Sequence, residues 1–204
     1  TVLVGVNASG FNLGNGDASQ PVVSQDGRYV AFLCRTNLAV AQTGVFWRDV
    51  DSGLTRLVSG NAYSDRMISL SADGQRVAYF DNQARLYVWD AGLATNIYTN
   101  TTSSLTSAAI SPGGNKVLYQ SFNQLSVRDL AFSTNQFLYS TTVPIKSQSQ
   151  WSGDGRYVAF VTRSNLVAGD NNGINDVYLR DSQTGTPSLL SLNQGGTASG
   201  SSRA

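Results

Sequence analysis

Histidine is absent from the 204 residues, and there is a single cysteine, Cys34. Without histidine, Ser-His-Asp and Cys-His arrangements are excluded, together with the commonest general base and metal ligand. One cysteine excludes an intramolecular disulfide. Cys34 sits in the apolar run Val30-Ala31-Phe32-Leu33-Cys34 and reads as a small buried hydrophobe. Charge is scarce as well. Charged residues make up 13% of the chain, 14 basic against 13 acidic, for a net charge of +1, where about a quarter is usual. With no Lys/Arg cluster there is no electrostatic footprint for nucleic acid or an anionic membrane. No stretch approaches the ~18 apolar residues of a membrane span, so membrane insertion is not expected. There is no Gly-x-Ser-x-Gly elbow, no phosphate-binding Gly-x-x-x-x-Gly-Lys loop and no Cys-x-x-Cys pair. Gly14-Asn15-Gly16-Asp17 lies between strands and reads as a turn. The only methionine is Met67 and the chain opens with Thr1, which suggests a mature product or a piece of a longer chain.

Ser, Thr, Asn, Gln and Gly stand in place of the missing charge. That balance suits a secreted all-β protein, whose turns consume Gly and Asn and whose strands tolerate Ser and Thr. The length suits one domain. Within it, one pattern occurs four times: Ser24-Gln25-Asp26-Gly27-Arg28-Tyr29-Val30-Ala31-Phe32, then Ser71 to Tyr79, Ser111 to Tyr119 and Ser152 to Phe160. The spacing of Gly27, Gly74, Gly114 and Gly155 is roughly the 40–45 residues of a propeller blade. Asp-Gly, or Gly113-Gly114 in the third copy, supplies the positive φ of a tight turn. Val and an aromatic at i and i+2 then mark one face of a strand. A short strand precedes each turn, and Trp151 falls where the other copies have Val23, Leu70 and Ile110, which makes it a core candidate.

A second motif follows in every copy: Val45-Phe46-Trp47-Arg48-Asp49, Leu86 to Asp90, Leu125 to Asp129 and Val177 to Asp181. It reads as a third strand whose final Asp caps the next turn. A fourth strand completes the unit. The two motifs together resemble the repeat of TolB-like propellers, a relative of the WD repeat also found in prolyl-oligopeptidase-type enzymes and bacterial surface proteins. The resemblance covers nearly the whole chain. It implies an all-β fold, a β-propeller of four-stranded antiparallel blades, with blades at about 18–60, 66–100, 106–141 and 147–193. Val4-Gly5-Val6-Asn7-Ala8 matches Leu190-Ser191-Leu192-Asn193-Gln194, so 1–10 reads as a blade remnant and 198–204 as the start of a further blade. Four full repeats plus partial blades at both ends suggest a segment of a larger ring, roughly six to eight blades.

Chemistry is harder to find. Asp26, Asp73 and Asp154 belong to the turns, and Asp49, Asp90, Asp129 and Asp181 to strand ends; a residue that recurs once per blade is first a structural one, and catalysis is not expected. The exception is Asp170-Asn171-Asn172-Gly173-Ile174-Asn175-Asp176. Asp170, Asn172 and Asp176 place oxygen atoms around a glycine turn, the donor type that calcium takes. This loop resembles the later part of calcium loops in integrin-type blades, with Ala168 where a carboxylate would open the motif. The alternative is a hydrogen-bonded Asx loop. Among the 20 aromatics, most fall on repeat positions. Trp89 aligns with Arg48, Arg128 and Arg180, which suggests a partly exposed strand face, and Phe11, Tyr63 and Phe122 are the loop candidates for contact. The resulting expectation is a protein-binding or assembly propeller, secreted, periplasmic or at the cell surface, meeting a protein partner or a second copy through its open blade edges. The alternatives are the gating propeller of a larger prolyl-oligopeptidase-type hydrolase, or a carbohydrate-binding propeller.

Overall fold

The computed structural model describes residue 4 and residues 17–35, 43–62, 68–102, 105–140, 149–193 and 195–200. Among these residues there are sixteen strands and no helix. They form four antiparallel meanders, each a sheet of four sequential strands. Blade 1 holds β1 (Ala18–Val23), β2 (Tyr29–Arg35), β3 (Thr43–Asp49) and β4 (Thr55–Ser59). Blade 2 holds β5 (Ser69–Leu70), β6 (Arg76–Phe80), β7 (Leu86–Asp90) and β8 (Thr95–Asn100). Blade 3 holds β9 (Ser107–Ile110), β10 (Lys116–Gln120), β11 (Gln124–Asp129) and β12 (Thr134–Ser140). Blade 4 holds β13 (Gln150–Trp151), β14 (Tyr157–Thr162), β15 (Asp176–Asp181) and β16 (Pro187–Leu189).

The repeated Ser-x-Asp-Gly segment closes the first hairpin of each blade by one device. The glycine alone takes the left-handed conformation, with φ of 70–78° at Gly27, Gly74, Gly114 and Gly155, where a Cβ is unfavourable. The Asp does other work. Asp26 Oδ1 accepts from the Ser24 hydroxyl at 2.6 Å and from the Arg28 N–H at 3.0 Å, while the Ser24 hydroxyl accepts from the Tyr29 N–H. Blades 2 and 4 repeat this with Ser71–Asp73 and Ser152–Asp154. Blade 3 has glycine in place of the Asp, and Asn115 pairs with Ser111 instead. The strand-end Asp residues cap the following turn as expected: Asp49, Asp129 and Asp181 each accept two backbone N–H groups there, and Asp90 one.

Blades stack through apolar seams, because a single sheet cannot bury both faces alone. Ala31, Leu33, Val45 and Trp47 of blade 1 pack with Val77, Tyr79 and Trp89 of blade 2. Ala78, Phe80, Leu86 and Val88 carry the seam to Ile110 and Val117 of blade 3. Leu118, Leu125 and Val127 carry it to Val158, Phe160 and Tyr178 of blade 4. Polar bonds cross the same seams: Trp47 Nε1 donates to the Gly74 carbonyl at 2.7 Å, Arg56 to that of Ala91, Arg76 to that of Gly114, and Trp151 Nε1 to that of Ala109.

The expectation of a partly exposed face at the Trp/Arg position holds for Arg128 and Arg180, which are half-buried, and fails for the other two. Arg48 is 6% and Trp89 3% exposed. This position lies on the face each blade turns toward its predecessor: Trp89 lies against Trp47, with centroids 5.9 Å apart, and Arg128 stands over the Tyr98 ring. Arg48 is tolerated there because its guanidinium bonds the Gly53 carbonyl and the Thr55 hydroxyl. Cys34 is buried, as its apolar run suggests.

Candidate functional site

The four innermost strands, β1, β5, β9 and β13, surround an axial cleft of about 470 Å³. Val23, Leu70, Ile110 and Trp151 reach it from the equivalent position of each blade. Trp151 is thus half-buried and lines the cleft, more than the plain core residue its place in the repeat suggests. The polar part of the lining is amide and hydroxyl, from Gln25, Ser69, Ser107, Ser149 and Gln150. Such a wall holds a partner by shape, apolar contact and neutral hydrogen bonds, and among the described residues it carries no ionisable side chain. At the turn side Asp26 and Asp73 border a shallower depression. The Ser24 hydroxyl and the Arg28 N–H hold Asp26 below the usual carboxylate range, and Ser152 and Arg156 do the same for Asp154.

The loop between β14 and β15 carries the three residues expected to hold a metal. Asp170 and Asp176 are both buried. Asp170 Oδ2 accepts from the Tyr178 hydroxyl, and Asp176 Oδ1 accepts from that of Ser191. Burial first, and the bond to Asp170 second, push the Tyr178 phenol well above its ordinary value. Asn172 is differently engaged. Its Oδ1 accepts the Ile174 N–H at 3.0 Å, an Asx turn, and its Nδ2 donates to the Gly200 carbonyl at 2.6 Å. The structure therefore pairs Asp170 with the Tyr178 phenol and Asp176 with the Ser191 hydroxyl, and uses Asn172 to tie the loop to the segment after β16. Tyr178, Ser191 and Ser199 belong to this region and were not legible as such: Tyr178 sits on a repeat position that reads as core, and the serines lie on a separate segment. Of the loop aromatics, Phe122 is exposed, while Phe11 and Tyr63 lie outside the described residues.

No protein-family model matches the chain, and no curated protein matches it in sequence. Solved structures do match. TolB from Acinetobacter baumannii superposes with a TM-score of 0.59 at 17% identity, over 86% of this chain and 43% of that one. A protein described as TolB from Agrobacterium tumefaciens gives 0.58 at 18% identity, over 90% and 67%. A prolyl endopeptidase gives 0.63 at 17% identity, over 85% of this chain and 29% of that one. The fold is a TolB-like β-propeller. At these identities the likeness is one of fold, and the chain spans less than half of the Acinetobacter TolB.

Within a propeller every blade meets two neighbours; among the described residues blade 4 packs against blade 3 alone. The residues that open the third strand of each blade, Val45, Leu86 and Leu125, are fully buried against the next blade, yet the equivalent Val177 is 39% exposed. Ala159, Val161 and Leu179 share its face of the sheet and are half-buried. The opposite end differs: Val30, Phe32, Cys34 and Phe46, on the other face of blade 1, are buried, with Val4 packed against them. Among the described residues, the face of blade 4 is the apolar blade surface without a cover.

Proposed function

We propose that this chain is a non-catalytic interaction and assembly module of a secreted or cell-surface bacterial protein, which works by seating a further blade on the open face of blade 4. What carries the reading is the contrast at one repeat position, three residues closed and the fourth, Val177, open. The occupant is a blade of the same repeat, supplied by a second copy or by neighbouring repeats of a longer chain. Its complementary surface is the kind already seen at each internal seam, Val-x-aromatic on the second strand of the incoming blade. The low charge and Ser/Thr/Asn-rich composition support an extracytoplasmic setting.

Val161→Asp and Val177→Asp place a charge in the middle of that face, where burial by a partner would be costly. Sedimentation of wild type and variants at rising concentration tests the reading. Wild type associates and both variants remain single chains with unchanged strand content. Equal association by wild type and variants would refute it. The prolyl endopeptidase likeness favours one other reading, a propeller that gates a catalytic domain through the axial cleft. A parent chain without an α/β-hydrolase segment eliminates that one.

A further inference from the structure

We propose that the β14–β15 loop is a cation site, in which Asp170 and Asp176 bind a hard divalent ion, calcium by the chemistry of the donors. Asp170 is 3% and Asp176 2% exposed. Of the other buried or half-buried carboxylates, Asp49, Asp81, Asp90 and Asp181 have an arginine partner, and half-buried Asp129 accepts two backbone N–H groups. Among the described residues, no ion pair reaches Asp170 or Asp176. Each satisfies one oxygen with a hydroxyl, from Tyr178 and Ser191. The second oxygen of each, Asp170 Oδ1 and Asp176 Oδ2, is buried with no partner, and so is the Ser199 hydroxyl.

These atoms belong to one place. Asp176 and Tyr178 share a face of β15, the Tyr178 hydroxyl reaches Asp170, and the Ser199 N–H donates to the Gly169 carbonyl beside it. Two buried carboxylates without a countercharge are strongly unfavourable. A divalent cation supplies the missing charge and coordinates the bare oxygens. The described surroundings offer oxygen and no thiolate, and the chain has no imidazole, which favours a hard ion over zinc or copper. Asn172 and Gly173, with φ of 68°, shape the loop, and the amide bond to Gly200 fastens it. No third His, Cys, Asp or Glu joins the pair among the described residues. With two anionic ligands the affinity belongs to the weak extracellular class, a Kd of about 0.1–1 mM. None of this depends on what covers blade 4.

The test is calcium titration of the chelator-stripped full chain by calorimetry, with thermal unfolding at matched ionic strength. The expected result is one site in that range and a melting temperature raised by roughly 3–6 °C at tenfold over Kd. Asp170→Asn and Asp176→Asn each abolish both. Terbium luminescence keeps the test open if those variants do not fold: tyrosine-sensitised emission appears in wild type, is displaced by calcium, and is mostly lost in Tyr178→Phe. The absence of both heat and a melting shift at 10-fold above the expected Kd range overturns the proposal. So does calcium binding that survives either Asp→Asn change, or terbium emission indifferent to Tyr178→Phe.

Discussion

Tyr29, Trp47 and Gly74 show how closely one seam is fitted. Tyr29 stacks on Trp47 at 5.2 Å, and Trp47 bonds the Gly74 carbonyl. A Cβ on Gly74 would come within 2.3–2.5 Å of the Tyr29 side chain, whereas one on Gly27 would meet nothing within 4 Å. Both glycines have positive φ, so both alanine substitutions carry the left-handed conformational penalty of about 1–2 kcal/mol. Only Gly74→Ala adds overpacking of about 1–3 kcal/mol. Urea unfolding should therefore rank Gly74→Ala well below Gly27→Ala, and equal midpoints would show the seam to be loose. The ion pairs act at the same scale. Bonds from Arg28 and Arg156 hold Asp49 and Asp181 below the usual carboxylate range. A lowered folded-state pKa means stability that is complete above the unfolded value of about 3.9 and is lost as pH falls through the folded one. Urea midpoints should fall on acidification below pH ~4, and Asp49→Asn should flatten that slope while lowering stability at neutral pH.

The elements were legible in the sequence because the same unit is written four times. Any one copy, a turn followed by a short apolar run, fits several folds; four at regular spacing fit a stack of blades. The Ser-x-Asp-Gly turns and the capping Asp residues were readable because they are local, with partners two to five residues apart. What was not readable depends on partners far along the chain. Trp89 and Arg48 occupy equivalent positions that look exposed in sequence, and only the approach of the preceding blade buries Trp89. The Trp47 bond crosses 27 residues. The bond of Asp170 to Tyr178 joins a loop to β15, and that of Asp176 to Ser191 joins β15 to the segment after β16, so their missing countercharge has no sequence signature. The expected blade remnant at 1–10 falls, apart from Val4, outside the described residues, as do 201–204. Equivalent positions also yield a prediction for strands. Val45→Ala, in a closed seam, should destabilise by about 2 kcal/mol. Val177→Ala, at the same place on blade 4, should stay within about 0.5 kcal/mol for the single chain. Similar losses at both would mean that blade 4 is already covered.

At the scale of the molecule, three seams join four blades into an arc, with contacts running from blade 1 to 2, 2 to 3 and 3 to 4. The seams are alike in construction, so the open face of blade 4 is specified by the same residues that accept a blade everywhere else. An uncovered surface of this kind invites association, and a heterologous contact between unlike faces closes into a ring only if the rotation per copy allows it. The arc thus ties the repeat, which fixes the fold, to assembly. The most direct measurement is the native mass of the purified 204-residue chain by light scattering across a wide concentration range. Discrete association into multiples of 21.7 kDa, abolished by Val177→Asp, is the predicted result. A single chain of 21.7 kDa at every concentration, for wild type and variant alike, would contradict the assembly role and leave the four blades as a self-sufficient unit.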